Sequence, residues 1–248
     1  MFRRDAFSVA GAQLALDFCC APEDFAPGRM TFTQYVPQDG RRMFDDAPWA
    51  LKICAFGGGA VFTGEPGLIS ALKARFEHAA PEWLFDSGDF SELENILCLH
   101  GAVPYRCHLF FLPGGETPAL PLPEKVRVFE QDELEQFRGT VWGEEALAFD
   151  ALAPDMLAVA ACQGEEIIGM AGASADSDAM WQIGVSVLPE HRGRGIASSL
   201  TAALARETAL RGKIPFYGTA MSHIASQNVA LRAGFIPAWA EYTARAKK

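Results

Sequence analysis

The chain of 248 residues lacks two features that would indicate a membrane protein or a nucleic-acid-binding protein. It has no uninterrupted apolar run of the roughly 18 residues that a membrane-spanning helix needs. Its 21 Lys and Arg residues are outnumbered by 31 Asp and Glu residues, which gives a formal net charge of −10. Because nucleic-acid binding requires basic side chains that neutralise phosphates, we predict neither nucleic acid nor membrane as a partner.

Targeting and metal-binding signals are also missing. The first twenty residues have no clean small-x-small cleavage site, and polar side chains interrupt their apolar positions. We predict an amphipathic helix there and a cytoplasmic location, in which the six cysteines stay reduced. Cys98, His100, Cys107 and His108 are close in sequence, but their spacing fits no zinc-binding pattern, and we predict no metal site.

A segment rich in proline and glycine, Leu112–Pro123, divides the chain and is predicted to be an extended connector without packed structure. We therefore predict an N-terminal domain over residues 1–121 and a second domain over 122–248. The N-terminal range shows patterns typical of a small α/β domain whose role its residues do not indicate. These patterns are a hairpin or a strand pair in Trp49–Phe62 around Gly57–Gly59, helices at Leu68–His78 and Phe90–His100, and a strand at Tyr105–Leu112.

The second range predicts a mixed α/β fold with a mostly antiparallel sheet flanked by helices. Strands are predicted at Lys125–Phe129, Met156–Cys162, Ile167–Ala173, Met180–Leu188, Ile214–Thr219 and Phe235–Thr243, and helices at Asp132–Arg138, Gly195–Arg211 and Ser226–Ala233. Tight turns between the second, third and fourth strands indicate an antiparallel meander. The long helix before Ile214 is a crossover, so the fifth strand is predicted to run parallel to its neighbour.

The most informative segment of the chain runs from Val187 to Leu200. A strand ends before Pro189, and Arg192-Gly193-Arg194-Gly195 leads directly into a helix. The first amides of a helix have no internal partner, and the helix dipole adds partial positive charge there. This arrangement predicts a site for phosphate or pyrophosphate. The lysine and hydroxyl residues of a nucleotide-triphosphate loop are absent, and so is the Gly-x-Gly-x-x-Gly pattern of dinucleotide-binding folds.

The run from Arg192 to Ala197 resembles the Arg/Gln-x-x-Gly-x-Gly/Ala signature of the GNAT N-acetyltransferases. Ile183–Pro189 is similar to the fourth strand of that family, and the order of elements after Leu122 is similar to its fold. Within the family, the whole chain most resembles the bacterial two-part acetyltransferases with an N-terminal extension, and residues 1–121 are either a diverged second GNAT-like domain or an unrelated lid. The resemblance implies acetyl-CoA (coenzyme A) as the cofactor, with its pyrophosphate at the turn and its pantetheine arm along the strand. The cofactor-binding residues it implies are Val185, Ser186, Val187, Arg192, Gly193, Arg194, Gly195, Ile196, Ala197 and Ser198.

The catalytic residues depart from the family's pattern. In that family, the second helix usually carries an asparagine and, seven residues later, a tyrosine that protonates the departing thiolate. Alignment through Gly234 places His223 at the asparagine position and Ala230 at the tyrosine position, so the usual proton donor is absent. We predict His223, Tyr217 and Ser222 as the candidates for this chemistry.

Other residues take lesser roles in this interpretation. Ser226 matches a serine often found three residues after the family's asparagine. Glu144 and Glu145 lie where the family's acceptor loop would be. Both glutamates also fit a plain solvated acidic face.

These observations predict an N-acetyltransferase in which a primary amine attacks directly within a ternary complex. A small-molecule amine is favoured over a protein as the acceptor, and a homodimer is compatible with the sequence. The alternative is a non-catalytic acyl-CoA-binding sensor, which the missing tyrosine favours. Transfer of another acyl group is a third interpretation, and the space near Trp181 and Met170 would decide it.

Overall fold

The computed structural model describes residues 3–43, 49–121 and 125–247. Its ten strands are β1 (Met30–Gln34), β2 (Trp49–Phe56), β3 (Gly59–Gly64), β4 (Ala102–Pro113), β5 (Lys125–Glu130), β6 (Asp155–Gln163), β7 (Glu166–Ser174), β8 (Met180–Val187), β9 (Ile214–Ala220) and β10 (Phe235–Ala246). Its α-helices are α1 (Arg3–Asp17), α2 (Pro66–Phe76), α3 (Ser87–Leu99), α4 (Ile196–Leu210) and α5 (Ile224–Arg232). The predicted mixed α/β class with mostly antiparallel strands is confirmed.

The described residues group into two compact units. Unit 1 consists mainly of residues within Phe111–Pro237, and unit 2 consists of residues within Ala10–Arg41, Asp46–Phe110 and Ala238–Lys248. This grouping differs from the predicted ranges 1–121 and 122–248, because the last residues of the chain belong to unit 2. The predicted boundary falls at residue 122, outside the described residues, and stays a prediction.

Unit 1 contains a sheet in the order β9-β8-β7-β6-β5. Strands β5 to β8 are antiparallel neighbours, and β8 and β9 are parallel, which confirms the predicted meander and crossover. Helix α4 packs on one face of this sheet. A Cβ on Gly169 of β7 would lie 3.1 Å from Ile196 and 3.2 Å from Leu200, so the absence of a side chain there lets α4 approach closely.

The opposite face of this sheet carries an apolar cluster that includes Phe129, Phe137, Trp142 and Met170. The helix predicted over Asp132–Arg138 is a 3-10 helix at Gln131–Phe137. Its two buried side chains, Leu134 and Phe137, are three positions apart, which matches the three-residue turn of a 3-10 helix.

The prediction of a connector without packed structure of its own at Leu112–Pro123 is wrong for Leu112 and Pro113, which belong to β4, whereas residues 114–121 form no helix or strand. Leu112 is part of β4, and the Gly114 N–H donates to the carbonyl of Gly234 at 2.9 Å. Arg206 Nη1 donates to the carbonyl of Pro118 at 2.9 Å. Proline and glycine predict an extended path here, but they do not exclude hydrogen bonds to neighbouring elements.

Unit 2 contains strands in the order β1-β3-β2-β10-β4. The predicted hairpin is confirmed, because β2 and β3 are antiparallel and Gly57 and Gly58 form their turn with φ of +62° and +91°. Strand β10 pairs antiparallel with β2, from Trp239 opposite Phe56 to Arg245 opposite Trp49. The core of this unit is apolar and includes Leu72, Phe76 and Tyr242, among others.

No helix among residues 3–43, 49–121 and 125–247 combines the length and the hydropathy that crossing a bilayer requires.

Candidate active site

Strands β8 and β9 of unit 1 separate at their carboxyl ends. Their parallel ladder begins at Met180 opposite Ile214 and has its last rung at Ile183 opposite Tyr217. Strand β8 continues to Val187 and β9 continues to Ala220, without a further rung in the part of the chain that the structure describes. The two strand ends therefore border a gap, which we call the cleft.

Two backbone amides of β8 point towards the cleft. The N–H of Leu188 donates to the carbonyl of Ile168 at 3.0 Å, on the β7 side. Because successive N–H groups along a strand point to opposite edges, the amide of Ser186 faces β7 as well. The amides of Val185 and Val187 face the other edge, where the ladder with β9 has ended.

The turn that follows β8 depends on two glycines. Gly193 has φ of +75° and Gly195 has φ of +82°, in the left-handed region that residues with a side chain rarely adopt. A Cβ built on either residue would meet no atom within 4 Å. Glycine is therefore required here by the backbone conformation, and the space in front of the turn is open.

The turn and the start of α4 form an anion-binding arrangement. Among the described residues, none accepts a hydrogen bond from the backbone N–H groups of Gly193 to Ser198. Gly193, Arg194 and Gly195 are exposed, whereas Ile196 and Ser198 are 7% and 5% exposed, so the turn faces solvent and the first turn of α4 is packed on the sheet. Unpaired amides at the positive end of a helix dipole favour a phosphate group.

Two arginines flank this turn. Arg192 Nε donates to the carbonyl of Val187 at 2.9 Å, which ties the turn to the end of β8. Arg194 Nη1 lies 2.9 Å from His191 Nδ1. Both arginines are exposed, and each guanidinium has five N–H donors, so several donors remain for a phosphate. This donor set fits the pyrophosphate of coenzyme A, and the ten sequence-predicted cofactor residues lie together along β8, the turn and α4.

Tyr217 lies on β9 beside the cleft and contacts a residue of α5. Its Oη is 2.8 Å from Ser226 Oγ, and the residue is 4% exposed. Burial raises the pKa of Tyr217, the hydrogen bond between Tyr217 and Ser226 lowers it, and the charge of Glu145 raises it, with burial the largest effect. The net shift is upward, so the hydroxyl keeps its proton at neutral pH.

The other two predicted catalytic residues lie between β9 and α5. His223 immediately precedes α5 and makes no side-chain cap hydrogen bond, and Ser222 is next to it in sequence. Both are exposed to solvent. Ala230, at the family's tyrosine position, is completely buried. The catalytic roles of His223 and Ser222 stay predictions.

The partnership between Tyr217 and Ser226 was not predicted from the sequence. The two residues belong to a strand and to the following helix, and their spacing in sequence does not indicate contact. No sequence signal indicates this contact, because it depends on the register that pairs Tyr217 with Ile183 and on the placement of α5.

Met170 and Trp181, the two residues predicted to decide the size of the acyl group, lie in different parts of unit 1. Met170 is in the apolar cluster on the face opposite α4, where it pairs with Ser186. Trp181 is 6% exposed and pairs with Pro215 at the beginning of the β8–β9 ladder. Trp181 is therefore at the closed end of the strand pair, and the choice of acyl group stays untested.

No group of three or more histidine, cysteine or acidic side chains within the described ranges is placed to hold a metal ion. Cys98 is exposed on α3, whereas Cys107 is half-buried on β4.

One family model matches the part of the chain that contains the cleft and the turn. Residues 124–235 match the model of the acetyltransferase (GNAT) family. A search of curated proteins found no match.

Solved structures give more distant likenesses. A GNAT-family acetyltransferase from Novosphingobium aromaticivorans is 18% identical, with a TM-score of 0.45 over 58% of this chain and 66% of that chain. A GCN5-related N-acetyltransferase-like protein from Streptococcus suis is 15% identical, with a TM-score of 0.47 over 75% of this chain and 78% of that chain. An aminoglycoside N-acetyltransferase solved with CoA is 29% identical, with a TM-score of 0.34 over 45% of this chain and 91% of that chain.

These TM-scores are below 0.5, and the match spans slightly less than two thirds of the Novosphingobium protein. The likenesses therefore do not identify an acceptor or an activity of the whole chain. The family match covers β5 to β9 and α4 and α5, which are the elements that form the cleft and the turn. Residues 124–235 of the chain are therefore similar to the acetyltransferase (GNAT) family.

Proposed function

We propose that this protein is an acetyl-CoA-dependent N-acetyltransferase that acts on a primary amine. The observation that carries the proposal is the anion-binding turn at the end of the cleft between β8 and β9. The turn suits a pyrophosphate, and the cleft is bordered by unpaired strand amides that suit an extended arm. The family match supports acyl transfer in general.

The backbone of this chain would hold the cofactor. The amides from Gly193 to Ser198, with Arg192 and Arg194, would bind the pyrophosphate, and the edge of β8 at Val185–Val187 would bind the pantetheine arm. When bound, acetyl-CoA supplies an acetyl group activated as a thioester. An amide of Val185 or Val187 aimed at the developing oxyanion is worth about 3 kcal/mol of barrier.

Tyr217 is the proton donor in this proposal. Its buried hydroxyl keeps the proton at neutral pH and lies beside the cleft, so it can protonate a thiolate leaving group. The Ser226 hydroxyl, 2.8 Å away, orients the phenol and can stabilise the tyrosinate after proton transfer. Tyr217 thus replaces the helix tyrosine whose position is occupied by Ala230.

His223 and Ser222 are proposed to act on the acceptor side. An attacking amine must first lose a proton, and an exposed imidazole is suited to accept it and pass it to solvent. We also propose that the acceptor is a small molecule, that the protein acts in the cytoplasm, and that a homodimer is compatible with its function.

The second function is a non-catalytic acyl-CoA-binding module. The specific observation in its favour is Ala230, which is fully buried where the family usually has its proton-donating tyrosine. A module of this kind would keep the turn and the cleft but would release no free coenzyme A.

The test is the rate of thiol release from acetyl-CoA with a panel of amines, namely spermidine, kanamycin, tyramine and lysine. An enzyme releases coenzyme A faster with at least one amine than without any, and the acetylated amine appears in the mass spectrum. A binding module binds acetyl-CoA in calorimetry but shows no release above the protein-free control with any member of the panel.

A further inference from the structure

Part of unit 1 comes from residues that precede the family match. That match begins at residue 124, whereas the segment Phe111–Pro118, which we call the strap, also belongs to unit 1. The first three residues of the strap end strand β4, and the others form no helix or strand. Unit 1 is therefore not made of the matched residues alone.

The strap packs against the residues that connect α5 to β10. The N–H of Gly114 donates to the carbonyl of Gly234 at 2.9 Å. A Cβ on Gly114 would lie 2.8 Å from Ile236 Cγ2, and a Cβ on Gly234 would lie 2.4 Å from Pro118 Cδ. Real Cβ atoms do not approach other atoms so closely, so both glycines are needed for the strap to lie here.

Arg206 of α4 holds the other end of the strap. Its Nη1 donates to the carbonyl of Pro118 at 2.9 Å, and the arginine is half-buried. A hydrogen bond from a guanidinium is charge-assisted and is stronger than one between neutral groups. The strap is thus attached to the segment after α5 through Gly114 and to α4 through Pro118.

The first residue of the strap contacts the proposed proton donor. The ring of Phe111 lies edge-on to the ring of Tyr217, with the ring centroids 6.5 Å apart and the ring planes at 82°. The ring of Phe235 lies 6.5 Å from that of Tyr217, at 59°. Phe111 and Phe235 are 1% and 2% exposed, so two buried apolar rings enclose the phenol. Because burial is the largest cause of the raised pKa of Tyr217, these rings affect the acidity of the hydroxyl as well as its orientation.

We propose that Phe111 is a positioning residue that holds the ring of Tyr217 for proton transfer, and that the strap, fastened by Arg206, keeps Phe111 in place. The inference rests on the proposed function, in which Tyr217 is the proton donor, and it adds a residue from outside the family match. A phenol displaced by about 1 Å transfers its proton less efficiently, because catalysis depends on the geometry of the reacting groups.

The test compares two adjacent phenylalanines, in the variants Phe111→Leu and Phe110→Leu. Phe110 is 6% exposed, but its ring stacks on Trp239 of unit 2 at 4.9 Å and belongs to a different set of contacts. Both variants lose a similar amount of buried apolar surface. We expect Phe111→Leu to lower kcat about fivefold, with the affinity for acetyl-CoA within twofold of the wild type, and Phe110→Leu to change neither quantity by more than about twofold.

Ultraviolet titration of tyrosinate adds a measurement that does not depend on turnover. The difference between the wild type and Tyr217→Phe gives the titration of Tyr217 itself. In Phe111→Leu the smaller side chain leaves space for water beside the phenol, so the pKa of Tyr217 should fall towards its ordinary value of 10.0. An unchanged titration in Phe111→Leu, or the same shift in Phe110→Leu, would overturn the role of Phe111.

Arg206→Met and Arg206→Lys test the attachment of the strap. Methionine removes the donor to the carbonyl of Pro118, whereas lysine keeps one. We expect Arg206→Met to lower kcat about threefold and to move the titration of Tyr217 to lower pH, and Arg206→Lys to recover part of both changes. A wild-type kcat and a wild-type titration in Arg206→Met would overturn the role of the strap.

Thermal unfolding checks that each variant is folded. If Phe111→Leu does not fold, Phe111→Met takes its place, because methionine keeps most of the volume but not the ring. Failure of the wild type to release coenzyme A with any amine contradicts the proposed function. The titration of Tyr217 in the variants still decides whether Phe111 and the strap hold its ring.

Discussion

The turn at one end of the cleft and the Tyr217 side of the same cleft are built in different ways. The turn is made of backbone from consecutive residues, with two glycines in the left-handed region before α4. The Tyr217 side is made of side chains from separate elements, namely Tyr217 on β9 and Ser226 on α5. Binding of a common cofactor thus depends on local sequence, whereas the chemistry depends on tertiary contacts.

The largest effect is expected at the turn. Gly195→Val places a β-branched side chain at φ of +82° and fills the open space in front of the α4 amides. We expect the affinity for acetyl-CoA to fall at least 100-fold in calorimetric titration, because the phosphate loses access to these amides. Gly193→Val, at φ of +75°, should behave in the same way.

The matched control for the turn is Gly164→Val, in the hairpin between β6 and β7. Gly164 has φ of +62°, and a Cβ there would also meet no atom within 4 Å. Both variants should lose about 1–2 kcal/mol of stability from the same kind of strain. Acetyl-CoA affinity should survive in Gly164→Val. Equal affinities in the two variants would contradict the assignment of the turn.

The second largest effect is expected at Tyr217. Tyr217→Phe should lower kcat about 100-fold, which is typical for the loss of a general acid, with the affinity for acetyl-CoA within twofold of the wild type. The pKa of Tyr217 is raised above its ordinary value of 10.0, so the proton is lost, and activity falls, only as pH rises through this higher value. A wild-type rate that already declines through a pKa below 10 would argue against Tyr217 as the donor.

A smaller effect is expected from Ser226→Ala. The hydrogen bond from Ser226 lowers the pKa of Tyr217, so its removal should move the titration of the phenol to higher pH. We expect kcat to fall about fivefold and the ultraviolet titration of tyrosinate to shift upward. A downward shift would mean that Ser226 does not stabilise the ionised form, and the orienting role would be lost with it.

The smallest effect is expected at the exposed residues before α5. His223→Ala should lower kcat about threefold, with little change in the affinity for acetyl-CoA, because water can replace an exposed base. Ser222→Ala should change kcat less than twofold. A fall in cofactor affinity with unchanged kcat would identify His223 as a cofactor contact instead.

Elements specified by short stretches of sequence could be predicted. The β2–β3 hairpin follows from its glycines and alternating apolar residues, and α4 follows from a glycine turn and an apolar stripe. A helix was predicted near Gln131–Phe137, but its 3-10 type was not, because a short acidic segment with one apolar pair is compatible with either an α-helix or a 3-10 helix. The pairing of β10 with β2 joins residues far apart in the chain, and neither strand's own pattern indicates that partner.

The same distinction applies to the site. The residues of the turn could be predicted, because a strand, two glycines and a helix start determine where the free amides point. The Tyr217–Ser226 contact could not be predicted, because it depends on the register of β9 and on the placement of α5. Gly172 and Gly184 are visible in the sequence, but only the β7–β8 register shows that they are opposite each other. Together they leave room on the sheet for the backbone of Glu145 and Ala146.

The central claim is that the cleft and turn of unit 1 bind acetyl-CoA. The most direct measurement is calorimetric titration of the purified wild-type protein with acetyl-CoA. We predict saturable binding of one acetyl-CoA per chain, with a Kd on the order of 1–100 μM, or about −8.2 to −5.5 kcal/mol. Absence of binding at millimolar acetyl-CoA would contradict it, because the free amides and arginines would then be an anion site without this ligand.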